Sequence, residues 1–282
     1  MGKSRKGIII LIILILFVVF LFLKVFDRRI NTVHYDIENS RIQEDIKIVY
    51  ISDLHSTDFG ENQRKVIEKL EREEPDLVLL WGDIFDDMEP SHKAVELLDQ
   101  LKGKYKTYFV SGNHEFNTGR VKEIKEMVRE KGIHVLEGET LALEIKNTKI
   151  DLSGTDDNLV GESRYKEQLK NAAEQRREEA FSILLTHQPK NIDLFREYHY
   201  DLILAGHNHG GQVRIPFLVD GLFSREERFF PKYSGGEYDL EGSKLIIGRG
   251  LNRKTYKIRQ KYPVPRIFNP PELVVIHLKP DK

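Results

Sequence analysis

"YDLILAGHNHGGQ", residues 200–212, sets the reading of the whole chain. A short apolar run, Leu202 to Ala205, stops at His207 and His209, and two glycines follow at once. A run of this length with little alternation reads as a strand buried on both faces, as in layered α/β folds. Two histidines alone do not separate metal ligands from polar residues at a surface turn.

Four other runs have the same form. "IKIVYIS" leads to Asp53 and His55, "PDLVLLWG" to Asp83, "KTYFVSG" to Asn113 and His114, and "FSILLT" to His187. Between them Val66, Ile67 and Leu70, then Ala94, Leu97, Leu98 and Leu101, then Val121, Ile124 and Val128 are spaced for one helix face. Residues 141–153, 211–219, 243–248 and 272–278 read as further strands. The pattern predicts an α/β fold with a layered mixed β-sheet or two-sheet sandwich flanked by helices. Side chains that leave the carboxyl ends of strands in such sheets converge on one crevice. A single Asp or His after a strand is ordinarily a cap or turn former. Five successive endings of this kind are what make the pattern specific.

In an extended segment residues i and i+2 point the same way, so Asp53 and His55 are expected to reach one metal. His207 and His209 share that spacing in a glycine-flanked loop and suit one ion or two neighbouring ions. Asp83, between Gly82 and Ile84, is placed to bridge. Oxygen and imidazole ligands suit manganese, iron, zinc, cobalt or magnesium. The absence of cysteine excludes disulfides and thiolate sites.

The ordered motifs "DLH" at 53, "GDIFD" at 82, "GNHE" at 112, "LTHQP" at 185 and "GHNH" at 206 resemble those of the calcineurin-like metallophosphoesterases. "GGQVRIP" and "PPELVVI" are similar to the bacterial, membrane-associated branch; "GRGLN" at 248 departs from it where a further glycine is usual. The resemblance implies a hydrolase of phosphate esters or pyrophosphates working with two divalent metal ions, manganese foremost, by in-line attack of a metal-bound hydroxide. It implies that Asp53, His55 and His209 hold one ion, that Asn113, His187 and His207 hold the other, and that Asp83 bridges them. His114 is then the general acid and Asp86 the residue that orients it. Two divalent ions, two carboxylates and a hydroxide leave a net charge near +1, enough to attract a phosphate substrate.

At the N-terminus, sixteen uninterrupted apolar residues run from Ile8 to Leu23. A helix over residues 8–26 would span about 28 Å, close to the hydrocarbon thickness of a bilayer. Lys24, Asp27, Arg28 and Arg29 follow it without a small-residue cleavage site, so an uncleaved single-pass membrane anchor is expected rather than a signal peptide. Three basic residues flank it on each side, so the positive-inside count ties. An extracytoplasmic catalytic domain is expected from the usual topology of N-terminal anchors. The organisation read is an anchor at 1–30, a linker and first turn or strand at 31–45, and a catalytic domain at 46–282.

Without residues 1–30 the chain carries 38 Lys/Arg against 44 Asp/Glu, a poor balance for nucleic-acid binding. The stretch 249–266 is the exception, with Arg249, Arg253, Lys254, Lys257, Arg259, Lys261 and Arg266 and no acid. It reads as a solvated loop or as a patch for anionic headgroups, with Phe223, Phe229 and Phe230 as apolar neighbours, which raises a lipid or lipid-linked substrate. His34, His92, His134, His199 and His277 are read as surface or core histidines. Asp156 and Asp157 follow another possible strand and read as turn residues, with lining of the crevice as the alternative, and Asp87 and Glu115 as solvated or capping. A metal-dependent amidohydrolase is disfavoured because its H-x-H comes first, not last. A non-enzymatic metal-bound scaffold is the remaining alternative, although no expected ligand is missing.

Overall fold

The computed structural model describes residues 2–224, 227–253, 256–258 and 262–281. In chain order the elements are α1 (Gly2–Val25), β1 (Asn31–Asn39), β2 (Ile46–Ser52), α2 (Arg64–Glu73), β3 (Leu77–Trp81), α3 (His92–Leu101), β4 (Thr107–Val110), α4 (Asn113–Asn117), α5 (Val121–Glu130) and β5 (His134–Val135). They continue with β6 (Glu139–Ile145), β7 (Thr148–Gly154), α6 (Glu162–Glu174), β8 (Phe181–Leu185), α7 (Ile192–Glu197) and β9 (Leu202–Ala205). Last come β10 (Phe223–Ser224), β11 (Arg228–Phe229), β12 (Gly236–Asp239), β13 (Lys244–Ile247), β14 (Tyr256–Ile258), β15 (Tyr262–Val264) and β16 (Glu272–Pro280).

Two six-stranded mixed sheets carry the domain, ordered β1-β16-β2-β3-β4-β5 and β12-β13-β9-β8-β7-β6. The five runs read from the sequence are β2, β3, β4, β8 and β9, and neighbours among them in each sheet pair in parallel. Strand alternation divides β2 between two cores. Ile46, Ile48 and Tyr50 join Trp81, Ile183, Leu185, Ile203 and Ile246 in one cluster that draws on both sheets. Val49 and Ile51 join Val66, Leu70, Leu97 and Val128 of the helices in the other. The apolar faces of α2, α3 and α5 are therefore the ones their spacing predicted.

Two strand expectations change. Residues 141–153 form a hairpin rather than one strand, because Lys146 and Asn147 both adopt left-handed backbone between Ile145 and Thr148, which pair across a two-residue turn. Residues 211–219 form no strand. Gly210 and Gly211 turn the chain with φ of 66° and 59°, and beyond them only isolated bridges occur, Val213 to Ile267 and Ile215 to Val219. Residues 31–39 belong to the first sheet as β1, in parallel register with β16.

α1 contains the one stretch among the described residues long and apolar enough to cross a membrane, Lys6–Val25, and its described apolar side chains other than Val25 are exposed. The length and composition leave a membrane span or a signal sequence as its roles.

Candidate metal centre

β2, β3 and β9 each end in a left-handed turn that carries a polar side chain out of the apolar core. Asp53, His55, Asp83, His207 and His209 all have positive φ, between 47° and 69°. Residues with a Cβ seldom occupy this region, and the strain persists only where the surroundings over-determine it. The expectation that Asp53 and His55 converge through extended spacing is therefore corrected: their left-handed turns aim them. Asp53 N–H donates to Gly82 O at 3.1 Å, and His55 N–H to Asp83 O at 2.8 Å, which locks the loop after β2 onto the loop after β3.

Glu115 fastens that arrangement from below. Its buried carboxylate accepts from Asp83 N–H at 2.9 Å, Phe85 N–H at 3.0 Å and Gly112 N–H at 2.8 Å. Burial, with the Asp83 charge next, pushes its carboxyl up to about 7. The residue caps α4, as one sequence reading allowed, and is not solvated. Glu115→Ala would strand three buried donors at about 1–3 kcal/mol each, so thermal unfolding should show a loss of about 3 kcal/mol or more, with Glu115→Gln losing less. Gly112 is required by space: a Cβ there would overlap the Asp83 carboxylate and backbone nitrogen.

Four ligand-capable groups converge first. Asp53, His55, Asp83 and His209 present atoms that all lie within 4.8 Å of one another. His209 Nε2 is 3.2 Å from Asp53 Oδ1 and 3.3 Å from His55 Nε2, while His55 Nε2 is 3.5 Å from Asp83 Oδ2. Asp83, His187 and His207 form a second group under the same limit, with His187 Nε2 3.1 Å from Asp83 Oδ2. Asp83 is common to both. Asn113 starts α4 beside them: its Oδ1 is buried without a hydrogen-bond partner, and the next residue, His114, donates its N–H to Asp83 Oδ1 at 2.8 Å.

The donor set fits divalent cations. His55 Nδ1 faces Asp86 Oδ2 at 2.9 Å, and His209 Nδ1 faces the side-chain amide of Asn252. With Nδ1–H donated to Asp86, the Nε2 atom of His55 turns its lone pair toward the shared space, the usual arrangement of a ligating histidine, whereas His209 Nδ1 meets the amide nitrogen Nδ2 of Asn252. Asp53 Oδ2, Asn113 Oδ1 and His187 Nδ1 are buried without a hydrogen-bond partner among the described residues, and buried polar groups rarely stay so without cause. The local electrostatics are correspondingly tense. Burial pushes His207 down to about 3, helped by the charge of His187, and His209 to about 4 in spite of Asp53. Burial opposes charge on His187 as well, yet the carboxylates of Asp83 and Asp53 carry it up to about 10. Burial would also raise Asp53, but His209 and His187 hold it well below the carboxylate range.

A third group joins His55, Asp86 and His114, whose rings cross edge to face at 4.3 Å. Asp86, expected to orient His114, is nearer to His55 and reaches His114 Nδ1 only at 3.5 Å. His114 Nδ1 instead meets Asp87 Oδ1 at 2.5 Å, so Asp87 is more than a solvated or capping residue. Asp156 and Asp157 are also buried rather than at a surface turn. Asp156 pairs with Lys125 and accepts from Ser111 Oγ at 2.7 Å; Asp157 accepts from Gln188 Nε2 at 2.9 Å, next to His187.

The basic stretch divides. Arg249 is half-buried against Glu272 at 2.8 Å, and Arg266 donates to the carbonyls of Gly250 at 3.1 Å and His209 at 3.3 Å. These two brace the loop behind His209 and are not open to a membrane surface. Lys254, Arg259 and Lys261 lie outside the described residues, as does the side chain of Lys257. Asn252 of "GRGLN", Asn269 and Arg266 are the supports that sequence reading missed; the basic and glycine-rich composition of the loop gave no sign of them.

Buried carboxylates and imidazoles aimed at common space from the carboxyl ends of strands form a set that could hold divalent metal ions. Residues 46–211 match the calcineurin-like phosphoesterases, and the chain belongs to that family. It is 32% identical, over 88% of its length, to an uncharacterized metallophosphoesterase of Campylobacter jejuni, of whose length the match spans 63%, less than two thirds. It is 29% identical to the uncharacterized metallophosphoesterase YkuE of Bacillus subtilis, over 89% of this chain and 86% of that one. With the phosphodiesterase YaeI of Escherichia coli it shares 31% identity over 64% of this chain and 67% of the other. The chain is a metal-dependent phosphoesterase.

Proposed function

We propose that the chain is a dinuclear metallophosphoesterase that hydrolyses a phosphodiester or pyrophosphate bond of a lipid or lipid-linked substrate, working from a single-pass anchor with the domain outside the cytoplasm. The observation that carries the dinuclear reading is Asp83, the one carboxylate common to two separate ligand groups. Asp53, His55, His209 and Asp83 would hold one ion, and Asn113, His187, His207 and Asp83 the other. Bound there, two divalent ions would supply Lewis acidity toward a phosphoryl group and a lowered pKa for water.

The chain's own groups supply the rest. His114, held by Asp87 at 2.5 Å with its side chain 13% exposed, is the proton donor to the leaving oxygen. Burial lowers its pKa, partly offset by Asp83, so Asp87 and Asp86 help keep a proton on the ring. A cavity of about 460 Å³ adjoins His207 and Gln188, lined by Lys190 and Lys232 together with Asp193 and Glu227, and gives room for part of a substrate. The diester preference is supported by the activity named for the Escherichia coli relative, and the lipid substrate by the apolar N-terminal helix.

The test is steady-state hydrolysis by the full chain in detergent, with and without manganese, of bis-p-nitrophenyl phosphate, p-nitrophenyl phosphate and a lipid pyrophosphate. Metal-dependent turnover with the diester or the pyrophosphate exceeding the monoester is expected. Turnover on the monoester alone would overturn the substrate assignment, and none on any ester would favour a metal-bound scaffold.

A further inference from the structure

The joint between helix and domain carries features that catalysis does not use. The Val25 carbonyl at the end of α1 accepts from Phe268 N–H at 2.9 Å, so the domain is fastened to the helix end. Beside this joint lies a cavity of about 710 Å³ lined by Lys24, Arg29, Lys65, Lys69, Arg72 and Arg253, with Asp27 and Glu68 as its acids. Lys65, Lys69 and Arg72 are one face of α2, spaced at four and three residues. Asp27 is already occupied by Arg29 through bonds of 2.9 and 2.6 Å, and Glu68 faces Arg64 at 3.5 Å outside the cavity lining. Arg253 stacks on Phe59 at 4.2 Å, and its buried Nε has no hydrogen-bond partner among the described residues. The cavity is thus strongly cationic where the chain leaves α1.

Pro216 lines the same cavity and belongs to a tight tip. Ile215 N–H donates to Val219 O at 2.8 Å and Val219 N–H to Ile215 O at 2.9 Å, which closes the turn and pushes its apolar residues outward. Phe217 is 105% exposed, Leu218 81% and Ile215 43%. Contiguous apolar residues held out by a closed turn mark a contact surface. The cavity that Pro216 and Lys24 share puts this tip next to the end of the apolar helix.

We infer that the Ile215–Pro216–Phe217–Leu218 tip inserts into the interfacial layer of the bilayer that α1 crosses, and that the cationic cavity beside it seats an anionic phospholipid headgroup. The inference rests on α1 being a membrane span. Apolar side chains flanked by cations are the combination that holds a segment at an anionic interface. With the helix end, the tip and the cavity give three separate points of contact, which fix the orientation of the domain over the membrane.

The test uses the full chain in lipid nanodiscs with Phe217→Trp, and with Phe17→Trp as a marker of the span. Trp81 is wholly buried, so the parent supplies the background emission. In discs containing phosphatidylglycerol, lipids brominated near the headgroup should quench Phe217→Trp about twofold, and adding Lys65→Glu, Lys69→Glu and Arg72→Glu should remove most of that quenching. Unchanged hydrolysis of a soluble ester by Phe217→Trp shows that the fold is intact. Quenching of Phe17→Trp by lipids brominated deep in the acyl chain, without quenching of Phe217→Trp by the headgroup-proximal ones, overturns the inference and leaves the span standing; quenching of neither by either lipid overturns the span and the inference together. If inorganic phosphate in neutral discs has the same effect as phosphatidylglycerol, the cavity takes a soluble anion and the headgroup assignment fails.

Discussion

Asp83→Asn should leave the chain folded and lower metal-dependent hydrolysis by about 10³-fold or more, since several kcal/mol of Lewis-acid stabilisation depend on both ligand groups and each 1.36 kcal/mol is tenfold in rate. The side chain keeps its volume, and its backbone bond to Glu115 is untouched. What is lost is the one carboxylate that faces His55 at 3.5 Å and His187 at 3.1 Å. Bound metal should fall from two ions per chain toward one or none. Circular dichroism and metal analysis on the same preparation separate this result from misfolding. Near-parent turnover would remove Asp83 from the centre of the account.

The second large effect is at His114. His114→Ala should lower turnover by about 10²- to 10⁴-fold, the usual range for losing a general acid, while metal content stays at the parent value. The loss should shrink for a substrate whose leaving group is already a good one, such as p-nitrophenolate, and grow for an alkoxide. Asp87→Ala should give a smaller loss of the same kind, because Asp87 acts through the ring it holds at 2.5 Å. Equal losses on good and poor leaving groups would make His114 a binding residue instead.

What could be read from the sequence follows from burial. Strands covered on both faces must be apolar throughout, so β2, β3, β4, β8 and β9 stand out, and the polar residue that ends each one stands out with them. The one-sided helices α2, α3 and α5 declare their faces by spacing for the same reason. The left-handed backbone at Asp53, Asp83 and His209 could not be read, since non-glycine residues do not announce positive φ. Nor could Glu115, Asp87 or Asn252, each of which matters through a partner brought near only by folding: Glu115 to Asp83, 32 residues away, and Asn252 to His209, 43 residues away. Lys146 and Asn147 hid a hairpin because the pair lacks the glycine that ordinarily marks such a turn.

The central claim is that this chain holds two metal ions on one shared carboxylate. Anomalous diffraction from manganese-loaded crystals of an active preparation tests it most directly. The account predicts two peaks roughly 3.5–4 Å apart, both in contact with Asp83, one beside Asp53, His55 and His209 and the other beside His187 and His207. A single peak, or two peaks of which only one touches Asp83, in a preparation with full turnover would contradict it.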